Sequence, residues 1–369
     1  MKVEPLPAKP DLAFYTRQAQ ELARNFRAAD PGTMYLIRQR HPRLRGRPNT
    51  NDRNPVTDDE IRRTKVTLPD ARAIIAGVHH FESWSDFTRH IRELNRRDSA
   101  TAQFEAAANA IVNGDAKTLQ KLLSANPELI RMRSTREHRA TLLHYVGSNG
   151  VEQYRQKTPK NIVRITKILL DAGPEIDADL DYGRAQKTYC ERGGSTTLAL
   201  AATSCHPADA GVQIELMDIL IDHGASVEGI PGGWNPLIAA LHNGRGRAAV
   251  HLAKRGAKLD LEGAAGTGRL AALKTFFDRN GSLKHGATKS QMEYGFMWAC
   301  EYGHEATARF LLERGVDVAA MPHGETGLHW ASFGGHARIV KTLLRWRAPL
   351  HVEDQRFGGT PLGWGLHGW

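Results

Sequence analysis

The chain has 369 residues, 41% of them hydrophobic and 24% charged, with a formal net charge of +10. No stretch approaches the roughly eighteen unbroken apolar residues of a membrane-spanning helix, and the opening "MKVEPLPAKPDLAFY" is proline-broken and lacks the apolar centre of a secretory signal. Cys190, Cys205 and Cys300 are odd in number and form no CxxC pair, so a reducing, cytoplasmic compartment is expected rather than a disulfide framework.

In chain order, residues 1–100 read as a helical region. "DLAFYTRQAQELARNFRAAD" predicts an amphipathic helix with Leu12, Ala19, Leu22 and Phe26 inward. Residues 36–66 follow as a basic loop with nine Lys or Arg against four acids. Its arginines Arg38, Arg40, Arg43, Arg45 and Arg47 form a candidate patch for an anionic or nucleic-acid partner, although no aromatic residue interleaves them to stack on bases. "TLPDARAIIAGVHHFESWSDFTRHIRELNRR" predicts two more helices, the second with Trp84, Phe87, Ile91 and Leu94 on one face and Ser85 as its cap. His79 and His80 are expected at the surface near a helix end.

From residue 101 onward one phrase recurs. "TGLHWASFGGHARIVKTLLRWRAPL" from Thr326 aligns with "YGFMWACEYGHEATARFLLERGVDV" from Tyr294 at an offset of 32 residues. Leu328 falls on Phe296, Ala331 on Ala299, His336 on His304, and Leu343 on Leu311. Further copies open at Phe104, Ala140, Thr196, Asn235 and Thr360. Each places one apolar face on two short helices, neither long enough to hold itself together in water, so each must stack on its neighbours.

Through T-x-L-H-x-A, G-H, I-V-x-x-L-L and D-x-G-A, residues 103–369 resemble the ankyrin-repeat family. The resemblance implies an all-α solenoid of about seven helix-turn-helix units that binds other proteins through its concave face and hairpin loops. "IIAGVHHFESWSDFTRHI" is similar to the helical leader ahead of the repeats in some bacterial members, and a leader of that kind would cap the stack. His144 and His329, at the fourth position of the opening phrase, are expected to bond backbone between units, as are His304 and His336. Glu301 and His304 offer two metal donors, too few for a closed site. "GAAGTGR" at 263–269 lacks the ending of a phosphate loop. No catalytic residue, metal or cofactor is expected.

Departures from the repeat mark the candidate binding residues. Segments 147–162 and 203–213 lengthen two adjacent helix-helix turns, and 178–195 lengthens the hairpin between them. The two turns should meet in one lobe carrying Tyr154, Arg155, Lys157, Lys160, Ser204, His206 and Gln213. Asp181 and Tyr182 would project with the long hairpin. Insertions on one face are often a binding face. A scaffold binding a partner protein is the first reading, and an enzyme or small-ligand site in the lobe is the alternative. Trp234, Trp298 and Trp330 are aromatic candidates for contact with a partner, with the core as the alternative place for Trp298 and Trp330, and the exposed Trp364 and Trp369 belong either to a frayed cap or to a patch for a partner.

Overall fold

Short polar side chains start most of the helices, and the apolar spacing decides which face turns inward. The computed structural model describes residues 5–7, 9–27, 30–41, 57–64, 66–96, 98–180 and 195–368. Among these the secondary structure is helical, with one isolated β-bridge between Phe277 and Leu283. No helix among them is long and apolar enough to cross a membrane. The chain divides into two units, Met1–Trp234 and Asn235–Trp369.

In the first unit, α1 spans Leu12–Arg27, α2 Pro31–Arg40, α3 Asp58–Arg63, α4 Leu68–Val78 and α5 Trp84–Leu94. Tyr15, Ala19, Ile37, Ile61, Ile74, Phe81, Phe87 and Ile91 form their shared core. The expected basic loop is helical at both ends. Asp30 caps α2 ahead of Pro31, and Thr57 with Glu60 makes a capping box for α3. The cap of α5 is Ser83, not Ser85: its hydroxyl accepts from the Asp86 N–H. His79 does lie at a helix end, as the C-cap of α4, but it is half-buried rather than exposed. Its ring stacks on Phe87 at 5.1 Å, meets Tyr15 edge-on, and burial pushes its pKa down to about 3.

The same unit continues with α6 (Ala100–Asn113) and α7 (Ala116–Ala125). A 3₁₀ segment, Leu142–Gly147, pairs with α8 (Ile162–Asp171), and α9 (Thr197–Thr203) pairs with α11 (Gln213–Asp222), with α10 (Cys205–Asp209) between them. In the second unit the pairs are α12 (Pro236–His242) with α13 (Gly246–Lys254), α14 (Leu261–Gly266) with α15 (Leu270–Lys274), α16 (Lys289–Glu301) with α17 (Glu305–Glu313), and α18 (Gly327–Phe333) with α19 (Ala337–Arg345). α20 (Pro361–Gly368) follows alone and packs on α18.

Residues aligned by the 32-residue offset occupy matching settings. Phe296 and Leu328, Ala299 and Ala331, and Leu311 and Leu343 are all buried in one core. Each large apolar side chain taken out of water contributes about 1.5–3 kcal/mol. Helices of seven to nine residues cannot form alone. Burial against the neighbouring pair therefore holds each one in place. α17 ends at a left-handed glycine, Gly315 with φ 83°.

Two histidine motifs join successive pairs. The Thr326 N–H donates to His329 Nδ1 at 3.1 Å, and His329 Nε2 donates to the Gly359 carbonyl at 3.0 Å. Thr141 and His144 repeat this, with Ala178 as the acceptor at 2.9 Å. Because Nδ1 accepts a backbone N–H, each ring is the neutral Nε2–H tautomer. Both nitrogens are used, which leaves neither for a metal or a proton transfer. In the turns, the ring of His304 lies against Gly268 and that of His336 against Gly303, so closely that a Cβ at either glycine would fall within 3 Å of the ring.

Candidate binding surfaces

The inserted turns meet, as Ser204 Oγ donates to the Ser148 carbonyl and Asn149 Nδ2 to Thr203 Oγ1. Their side chains are directed differently from one another. Arg155 is 2% exposed. Its guanidinium donates to Asn109 Oδ1, Glu152 Oε1 and Glu105 Oε2 at 2.8–3.0 Å. Gln213 is buried and donates to the carbonyls of Ala201, Ala202 and Ser204, closing the end of α9, while buried Ser204 bonds the other turn. These three predicted binding residues therefore point into the protein. Lys157 and Lys160 are exposed, and Tyr154 and His206 are half-buried. Asp181, Tyr182, Arg43, Arg45, Arg47, Cys190 and Trp369 lie outside the described residues. Arg38 and Arg40 lie in the last turn of α2 and are half-buried.

Behind the first insertion lies a buried charge network that the sequence did not reveal. Arg136, 1% exposed, donates to Glu105 Oε2 at 3.0 Å and to the His79 carbonyl at 2.8 Å, and it also pairs with Glu152. Two carboxylates thus face two guanidiniums in a site closed to water. Burial alone would raise Glu105, but Arg136 and Arg155 override it and hold the carboxyl down to about 2. Glu152 is likewise held well below the carboxylate range. A cleft of about 440 Å³ opens beside the network, lined among others by Glu82, Asp86, Arg133, Arg139 and Asp179. Arg133 is engaged there, donating to the Asp179 carbonyl at 2.6 Å.

The second unit carries a stripe of a different kind. Tyr294, Trp298 and Glu301 follow i, i+4, i+7 on α16 and share one face, with Tyr302 just beyond. Trp298 Nε1 donates to Glu262 Oε1 at 2.8 Å, and His242 Nε2 donates to the same oxygen at 2.7 Å. His242 packs on Tyr294 and Trp298 at 5.1 and 4.9 Å. On the adjoining helices, Trp330 meets Phe333 and Trp364, and Phe333 remains 43% exposed. Trp364 is not exposed as expected. It is half-buried, and its Nε1 donates to Asp354 Oδ2 at 3.0 Å. Trp298 is core at 2% exposure.

No group of three or more His, Cys, Asp or Glu among the described residues is placed to hold a metal ion. The ring of His304 is packed on Gly268.

Residues 296–344 match the family of ankyrin repeats (many copies), and this segment runs from α16 to α19. The chain carries ankyrin repeats. Among curated proteins it is 33% identical over 102 residues to the probable E3 ubiquitin-protein ligase XBOS32 of Oryza sativa subsp. japonica. That match takes in 27% of this chain and 18% of the rice protein's length. Among solved structures it is similar to the human ASB11 ankyrin repeat domain, at 17% identity and a TM-score of 0.36, covering 70% of this chain and 90% of that one. Ankyrin repeats generally mediate protein–protein interaction.

Proposed function

We propose that this ankyrin-repeat protein is a non-enzymatic interaction module, and that its partner binds the first-helix face and hairpin loops of the Asn235–Trp369 unit. The observation that carries this reading is the face built from Tyr294, Glu301, Tyr302, Trp330 and Phe333, which sets half-exposed aromatic rings beside a carboxylate. Aromatic residues supply a large contact area at small entropic cost, and they recur as anchors of protein interfaces. The lobe of inserted turns supports the alternative less well, since Arg155, Ser204 and Gln213 make their hydrogen bonds internally. Residues 1–100 act as a cap in this reading: Arg136 and the Glu137 N–H bond the carbonyls of His79 and His80, tying the leader to the first hairpin.

The test is selection of peptides from a random display library on the full chain, followed by affinity measurement against variants. Phe333→Ala with Trp330→Ala should weaken the selected peptides at least tenfold, because hot-spot aromatics cost about 2 kcal/mol or more on truncation. Lys157→Ala with His206→Ala should leave them unchanged. The opposite pattern would move the function to the inserted lobe.

A further inference from the structure

Glu301 stands out within the aromatic face. Its Oε2 is closed to solvent and makes no hydrogen bond. Trp330 Nε1 is likewise closed off without an acceptor. Among the described residues no cation pairs with Glu301 within 4 Å, although Arg245 and His323 lie near enough to favour its charged form, and the flanking chain adds a second acid: Glu325 is buried, with His323 Nδ1 3.4 Å from its Oε2. A carboxylate oxygen removed from water without a paired donor is costly, and the cost falls when a cation pairs with it. Tyr302 follows it as the cap of the helix, its ring packed on Gly246 and its hydroxyl donating to the Leu241 carbonyl, and Tyr294 lies two turns earlier on the same face.

Resting on the proposed function, we infer that this face recognises a basic side chain, Lys or Arg, from an extended segment of the partner protein. Its cationic head sits on the Glu301 carboxylate and its aliphatic stem lies along Tyr302. The charge complementarity is local, because the chain as a whole carries a net charge of +10. General electrostatics would therefore repel such a segment, and Glu301 with Glu325 must supply the attraction.

The groups that face Glu301 set its pH dependence. Burial raises its carboxyl to about 7, with Tyr302, His323, Glu325 and Arg245 as its other electrostatic neighbours. His323 is itself raised, first by its bond to Glu325. As pH falls, Glu301 loses its charge and His323 gains one, and both changes oppose a cationic ligand. Affinity should therefore rise with pH. Only the ionised fraction of Glu301 is competent, and for a group titrating near 7 that fraction changes about tenfold between pH 6 and pH 8.

The same random peptide library, panned on the full chain, provides the test, with affinities read by fluorescence anisotropy at pH 6 and pH 8. The selected peptides should share a Lys or Arg anchor and bind about tenfold tighter at pH 8. Glu301→Gln, which keeps the side-chain shape, should flatten that profile and weaken binding at pH 8 while leaving the melting curve in place. Peptides with no basic anchor, weakened by Phe333→Ala but not by Glu301→Gln, would overturn this inference and leave the proposed face standing. Peptides untouched by both substitutions, or no selected peptide at all, would overturn both.

Discussion

Replacing Arg155 by Met is the most demanding test of how the first insertion is held. The substitution keeps an apolar stem but removes the donors to Glu105, Glu152 and Asn109. Arg136 is then left to face two buried carboxylates. Breaking a buried ion pair from one side costs about 3–5 kcal/mol. A carboxyl displaced from 4.5 to about 2 represents roughly 3 kcal/mol at neutral pH, an independent figure of the same size. The sign with pH follows. In the parent chain the Glu105 contribution is present above its unfolded value of 4.5 and is lost as pH falls toward about 2. In the variant an unpaired buried carboxyl titrates above its unfolded value, so its stability is greatest in acid and is lost as pH rises. Differential scanning calorimetry from pH 7 to pH 5 measures both effects. The transition of the Met1–Trp234 unit should fall by about 10 °C or more at pH 7, and the gap to the parent should narrow at pH 5. A fall of less than about 3 °C, or a gap that widens in acid, would refute the reasoning.

Other outcomes follow from single contacts. His329→Ala removes a buried acceptor and a buried donor at once, so it should cost about 2–4 kcal/mol and strip hydrogen-exchange protection from the Thr326 amide. Cys300 is fully buried and its thiol is raised by that burial, so iodoacetamide should leave it unmodified until the chain is denatured, as peptide mass mapping would show. If the arginines at 38–47 bind a polyanion, affinity must fall steeply with added salt through counterion release; a flat salt profile in anisotropy would end that reading.

The repeat was legible because its determinants are local. Apolar residues at helical spacing and the T-x-L-H phrase act within one unit, and the histidine bonds reach only to the next, 30 to 35 residues away. The charge network was not legible, since Arg155 finds Glu105 across 50 positions and Arg136 finds it across 31. A lone arginine in a long polar insertion has the composition of a solvated loop, and nothing in its neighbours says that two carboxylates are buried opposite. The cap of α5 was illegible for a similar reason: Ser83 and Ser85 are both capping residues by type, and only the course of the chain before the helix decides for Ser83.

That contrast bears on where function lies. An insertion signals function when its side chains are free to meet something else, and here much of the inserted chain is engaged in holding itself down. Gln156 donates to the Val151 carbonyl, Lys157 Nζ to Asn113, and Asn161 to the Gly114 carbonyl, in addition to the Arg155 bonds. The stripe on α16 shows the reverse. In the sequence Glu301 pairs with His304, three residues on, as two metal donors. The fold separates their roles, packing His304 on Gly268 in the turn and leaving the Glu301 carboxylate among aromatic rings with one oxygen unpaired. A half-buried acid with one oxygen closed off and unpaired is a feature that stacking alone does not require. The repeat architecture accounts for the bonds of His144, His329 and His336, whereas the unpaired oxygen of Glu301 is what the inferred basic side chain would meet.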